Sequence, residues 1–149
     1  MATQKNEARE TVKLEGVVKS AYNKVEKDEN GNITSVTNTI LLNRDGLTVG
    51  GSTDVKGYFD KMYAGVSNKK FIPSWHKEDK PFISVKSSFN IPCKIDSTGE
   101  QMSFAEFVER GNISGAKVVV KCNVKPNALY PSAMLIFEEG EPYDAFKDF

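Results

Sequence analysis

Residues 11–43 read TVKLEGVVKSAYNKVEKDENGNITSVTNTILLN, and this stretch decides the fold. Val12, Leu14, Val18 and Tyr22 fall at even spacing, the period of a strand with one face buried. Gly16 interrupts the pattern and marks a bend or bulge. Glu29-Asn30-Gly31-Asn32 is a turn signal, because Asn-Gly supplies the positive φ angles of a tight hairpin. Ile33 to Arg44 is then rich in Ile, Val and Thr and stops at Asp45-Gly46. The first third of the chain is therefore expected to be a β-hairpin with long arms.

Beyond it the period changes. Val55, Tyr58, Phe59, Met62, Tyr63 and Val66 lie on one face of a helix, which Ser52 or Thr53 can cap and Gly65 can end. Residues 67–81, SNKKFIPSWHKEDKP, have no periodicity and read as a loop. Strand character returns at PFISVKSSF, with Ile83 and Val85 facing one way and Phe82, Ser84 and Lys86 the other. Ser103 and Glu106 form a capping box opening a short helix that Gly111 closes. In GAKVVVKCNVK, Val118, Val120, Cys122 and Val124 make one strand face, and Lys117, Val119, Lys121, Asn123 and Lys125 make the other. A turn is expected at PNALYP, then a last strand, SAMLIFEE. A mainly β fold follows: a small OB-fold-like barrel with one or two intervening helices, the alternative being a β-sandwich with short helices. Residues 1–10 read as a flexible arm, 11–137 as the domain and 138–149 as an acidic tail.

The 149 residues suit one domain with a real core. At 39% hydrophobic and 27% charged, the composition is that of a globular chain. No apolar run approaches the roughly 20 residues of a spanning helix. The polar start MATQKNEARE is unlike a secretory signal, and two distant cysteines, Cys93 and Cys122, form no disulfide framework. A cytoplasmic setting is expected. The formal net charge of zero hides an asymmetry. Residues 138–149 hold five acids and one lysine, a net of −4, so the other residues hold 19 bases and 15 acids, a net of +4. Residues 56–94 alone hold eight lysines against three acids. A basic body with an acidic tail points to a polyanionic partner and an internal competitor for it.

Catalytic constellations are missing. With one histidine, His76, and two cysteines there is no zinc-ligand spacing, and no Walker loop, GxGxxG or GxSxG occurs. Asp45 and Asp54 flank a glycine-rich turn, where Asp serves backbone geometry more often than metal. The sequence argues against an enzyme and calls for no cofactor or metal. Gly50-Gly51-Ser52-Thr53 before a helix could contact a phosphate, although a turn with an ordinary N-cap reads the same way.

What the sequence does carry is lysines interleaved with seven aromatics between residues 56 and 94. Single-stranded nucleic acid is held by that combination, cations following phosphates and exposed rings stacking on bases. Tyr58, Phe59 and Tyr63 lie on the apolar helix face and read as core, and Phe82 and Phe89 are open. Phe71 and Trp75, in the lysine-rich loop, are the stacking candidates. The one clear helix is neutral and aromatic, which disfavours duplex readout.

Long strands, an intervening helix, KVVVKCNVK followed by LYPSAMLIF, and an acidic tail ending Asp148-Phe149 resemble the bacteriophage single-stranded DNA-binding proteins of the OB-fold type. The resemblance implies a protein that coats single-stranded DNA in phage replication and recombination, within the host cytoplasm. It implies phosphate contacts from Lys69, Lys70, Lys77, Lys86, Lys117, Lys121 and Lys125, with stacking by Phe71, Trp75 and Tyr130. It also implies that the tail recruits replication or recombination proteins through Asp148 and Phe149, supported by Tyr143, Asp144 and Phe146. The bacterial single-stranded DNA-binding proteins place several consecutive acids, and a long linker before them, ahead of the tip; here the tail is short, its acids are spaced, and Lys147 interrupts them. A homo-oligomer, a dimer first of all, is expected. The competing reading is a protein-interaction or virion assembly module without nucleic-acid binding, in which the aromatics are core and the tail is a subunit contact.

Overall fold

A computed structural model describes residues 11–63, 81–125 and 128–140. Ten elements follow in chain order: β1 (Thr11–Lys27), β2 (Ile33–Asn43), β3 (Thr48–Val49), α1 (Val55–Met62), β4 (Phe82–Ser87), β5 (Cys93–Ile95), β6 (Gln101–Met102), α2 (Phe104–Arg110), β7 (Lys117–Lys125) and β8 (Ala128–Glu138). The strands form one sheet in the order β4-β2-β1-β7-β8-β5-β6, with β3 beside β1. Every pairing is antiparallel except β5 with β8. Because β4 also packs against β8, the sheet curls on itself into a small OB-fold-like barrel with two helices.

β1 makes the curl possible. Its first half pairs with β7 and β3, and its second half pairs with β2. Between them the register slips, Val18 opposing Leu42 and Ser20 opposing Leu41, so Lys19 is the extra residue of a bulge. A bulge bends and twists a strand, letting one strand serve two layers. The bend foreseen at Gly16 thus falls three residues on, and beyond it the inward face passes to Ala21, so that Tyr22, read with the buried face of Val12, Leu14 and Val18, is exposed. Gly16 itself lies against Leu47, whose Cδ1 a Cβ there would meet at 3.0 Å.

Alternation along β1, β2, β4 and β7 sends Leu14, Val18, Ile40, Leu42, Ile83, Val85, Val118 and Val120 into one core. Phe104 and Phe107, three apart on α2, are fully buried in it. The α2 ends follow the sequence signals closely. Ser103 Oγ accepts from the Glu106 N–H while a Glu106 carboxylate oxygen accepts from the Ser103 N–H, and Gly111 ends the helix at φ 79°. Those hydrogen bonds, the Ser103 N–H first, hold the Glu106 carboxyl below its ordinary range.

Four local expectations need correction. The β1–β2 loop is five residues long, Asp28 to Asn32, and only Gly31 has positive φ. The Asp28 carboxylate accepts from the Asn30 and Asn32 N–H groups, closing a wider loop than an Asn-Gly two-residue turn. The N-cap of α1 is Asp54 rather than Ser52 or Thr53. Its carboxylate accepts from the Gly57 N–H, while Ser52 Oγ accepts from the Asp54 N–H. PNALYP is not one long turn, because β8 resumes at Ala128 and includes Pro131. Proline is tolerated there because the β7–β8 register slips at that point. Finally, the body extends past residue 137. Glu138 completes β8 and lies 3.8 Å from Lys117, and Glu139 pairs with Arg110 at 2.9 Å. Gly140 donates to the Asn112 carbonyl, and a Cβ on it would overlap the Ser114 carbonyl oxygen. Only residues 141–149 lie beyond this anchor, with three acids and one lysine.

Candidate nucleic-acid interface

Register places side chains into rows across the barrel, because directly opposed residues share a face. On the layer made by the first half of β1, β7 and β8, the outward rows are Thr11–Asn123–Tyr130, Lys13–Lys121–Ala133 and Glu15–Val119–Leu135. Lys94 on β5 opposes Leu135 and Gln101, extending the third row. These rows floor an open groove of about 1200 Å³. Gly50, Gly51 and Tyr58 wall one side, and Asn90, Pro92, Met102 and Ser103 the other, with Phe137 also lining it. Its floor is apolar along Val119, Ala133 and Leu135, and its cations are Lys13, Lys94 and Lys121 against the single acid Glu15.

The opposition of Lys13 and Lys121 matters most. Like charges directly across a strand pair are destabilising, and neither lysine makes an ion pair among the described residues. Three other cations of the barrel are placed differently: Lys56 meets Asp60, Arg110 meets Glu100 and Glu139, and Lys117 meets Glu138. The hydrogen bond to Glu139 is the main reason the Arg110 pKa stands above its ordinary value, with Glu100 adding to it. In the groove, two lysines stand directly opposed with no ion pair among the described residues.

A second cationic surface covers the layer of β1, β2 and β4. Tyr22, Thr39 and Lys86 form one row, Lys24 stands opposite Thr37 on the same face, and Lys19 Nζ lies 5.7 Å from the Phe82 ring centre. Tyr22 is exposed and Phe82 half-buried.

Of the residues expected to meet DNA, Lys121 lines the groove, and Lys117 and Lys125 stand exposed on the same strand face. Lys117 has Glu138 beside it. Tyr130 is half-buried in the outward row at the groove's end. Lys86 belongs to the second surface, so the structure does not gather these five into one row. Lys69, Lys70, Phe71, Trp75, Lys77 and His76 lie outside the described residues, as do Tyr143, Asp144, Phe146, Asp148 and Phe149. Tyr58, read as core, is half-buried and lines the groove, its ring against Gly50. Phe59 and Tyr63 are buried as expected, the Tyr63 hydroxyl donating to the Ala128 carbonyl. Sequence reading missed Lys13 and Lys94. The signal was available, since each alternates with buried apolar neighbours and so points outward, but only the register shows that Lys13 faces Lys121.

The helix N-terminus after Gly50-Gly51 is a poor phosphate site, because the Asp54 carboxylate already accepts from the Gly57 N–H and would repel an anion. Among the described residues no three His, Cys, Asp or Glu side chains converge as metal ligands, and no helix is long and apolar enough to cross a membrane. No protein-family model, curated protein or solved structure matches this chain.

Cys93 and Cys122 are free and buried in the barrel wall, and burial pushes each thiol from an ordinary 9.0 up to about 12. Neither is nucleophilic in the folded protein. Both thiols should therefore resist a disulfide reagent at pH 8 and react together on unfolding. The linkage has a definite sign. With the folded pKa raised, the unfolded chain releases these protons first, so their contribution is intact below pH 9 and is lost as pH rises from 9 towards 12. Urea midpoints at pH 8 and pH 10 measure it, with a double Cys93→Ala/Cys122→Ala variant as the reference lacking both groups.

Proposed function

We propose that this protein binds single-stranded DNA with little sequence preference, coating it during replication or recombination of a phage type. The Lys13–Lys121 opposition, without an ion pair among the described residues and set over an apolar groove floor, carries this reading. A fold that places two lysines side by side, with no acid between them, is suited to a polyanion that supplies the missing charge. The apolar strip of Val119, Leu135 and Phe137 gives bases a surface while phosphates follow the lysines. In this reading the protein works in the host cytoplasm, as a dimer or larger oligomer, and residues 141–149 recruit replication or recombination proteins.

Oligo(dT) anisotropy over a range of salt concentrations tests the proposal. Binding at low salt is expected, with a log–log slope of about −0.7 per phosphate neutralised. Truncation should be made after Gly140, since an earlier cut removes the Arg110–Glu139 pair and disturbs the barrel. The truncated protein is expected to bind as tightly as the full chain or more so. If neither form binds at low salt, the proposal falls and the protein-interaction reading takes its place. The second surface gives an internal comparison. Lys24→Glu/Lys86→Glu should weaken binding less than Lys13→Glu/Lys121→Glu, and the reverse order would move the DNA to the β1-β2-β4 layer.

A further inference from the structure

Among the described residues the most exposed large apolar side chain is Phe89, with 78% of its surface open. It stands on the turn between β4 and β5, immediately before the groove-lining Asn90. An exposed ring on a loose loop would mean little, but this turn is held from below by buried polar groups. Asn38 and Ser87 are only 4% and 5% exposed. Ser87 Oγ accepts from the Phe89 N–H at 3.0 Å, and Asn38 Nδ2 donates to the Phe89 carbonyl at 2.8 Å. Asn38 is held in turn by a hydrogen bond from the Asn23 amide. On the far side, Asn90 Oδ1 accepts from the Phe104 N–H at the start of α2.

Buried side-chain amides are costly unless fully bonded. Here Asn38 sits where Ile40 and Leu42 continue the same inward face, so an apolar residue would satisfy the core. Instead Asn38 spends its amide on the backbone of one exposed phenylalanine. We propose that Phe89 is a pre-organised stacking platform for a nucleobase at the groove mouth, and that Asn38 is its positioning residue. This rests on the single-stranded DNA reading above. With its N–H and carbonyl both held, the Phe89 backbone is already ordered, and only the ring's own rotamers remain to be fixed when a base stacks on it.

The test compares oligo(dT) with an abasic deoxyribose-phosphate oligomer of equal length, using wild type, Phe89→Ala and Phe89→Tyr. Phe89→Ala is expected to weaken oligo(dT) binding by about 5- to 150-fold, the range for one stacked base, and to leave abasic binding and the salt slope unchanged. Phe89→Tyr should restore oligo(dT) binding. Asn38→Ala, with Phe89 intact, should lose part of the same discrimination between the two oligomers. Being so exposed, Phe89 can be replaced without loss of the fold, which circular dichroism will check. Equal affinity of wild type and Phe89→Ala for oligo(dT) overturns the inference while leaving the DNA reading standing. So does an equal loss on both oligomers, or a change of oligomeric state in sedimentation, which would assign Phe89 to a subunit contact. Failure of wild type to bind oligo(dT) sinks both.

Discussion

Lys13→Ala/Lys121→Ala is expected to bind oligo(dT) far more weakly than wild type while folding at least as stably. If each lysine neutralises one phosphate, and the electrostatic gain vanishes near 1 M salt, removing one costs about 8-fold at roughly 50 mM salt and the pair about 60-fold. The salt slope should flatten by about 1.4 in the same experiment. Stability should move the other way. The two ammonium groups face each other across β1 and β7 with no acid in their row, so removing them relieves repulsion worth a few tenths of a kcal/mol, up to ~1. That opposite movement of affinity and stability is the mark of charge kept for binding. A double variant that binds normally would exclude the groove as the DNA path. One that is clearly less stable would show that the pair is structural.

Phe107→Ala is expected to be among the most damaging single truncations of the core. Its ring is fully buried on α2, one turn from the equally buried Phe104, and α2 packs against β1. Emptying such a site costs about 3–5 kcal/mol in lost transfer energy and residual cavity. Set against a total of roughly 5–15 kcal/mol for a domain, that is a large share, and a fall in Tm of about 10 °C or more should follow. Scanning calorimetry measures it. The position is diagnostic because β1 belongs to both layers of the barrel, so loosening α2 should lower the whole unfolding transition rather than split it. A loss below about 1 kcal/mol would mean that α2 does not complete the core.

Much of this architecture is legible along the chain. Alternation in Thr11–Tyr22 and Lys117–Lys125 announces strands with one buried face, and the burial of Val12, Leu14, Val18, Val118, Val120 and Cys122 follows it, until the bulge at Lys19 turns Ala21 inward and Tyr22 out. Ser103, Glu106 and Gly111 announce both ends of α2 because capping depends on side chains within a few residues. The misjudged features were those where local signals compete. Asn30-Gly31 suits a two-residue turn, yet the Asp28 carboxylate gathers two N–H groups and widens the loop. Pro126 and Pro131 suggest one long turn, yet a register slip accommodates Pro131 within β8. Glu138 and Glu139 look like the start of a free tail, yet Lys117 and Arg110, distant in sequence, hold them to the barrel.

By itself, then, the sequence determined the number and kind of the main elements, the inward faces of β4, β7 and the first half of β1, the caps of α2 and the separation of positive body from negative end. All of these follow from spacing within one element or from composition. Only the tertiary structure decided that Lys13 stands opposite Lys121, that Lys86 belongs to another layer, and that buried Asn38 reaches the backbone of Phe89. The physical reason is register. Period 2 says which face a side chain takes, but its neighbours across the sheet are set by where the β1 bulge falls and by which strands close the barrel.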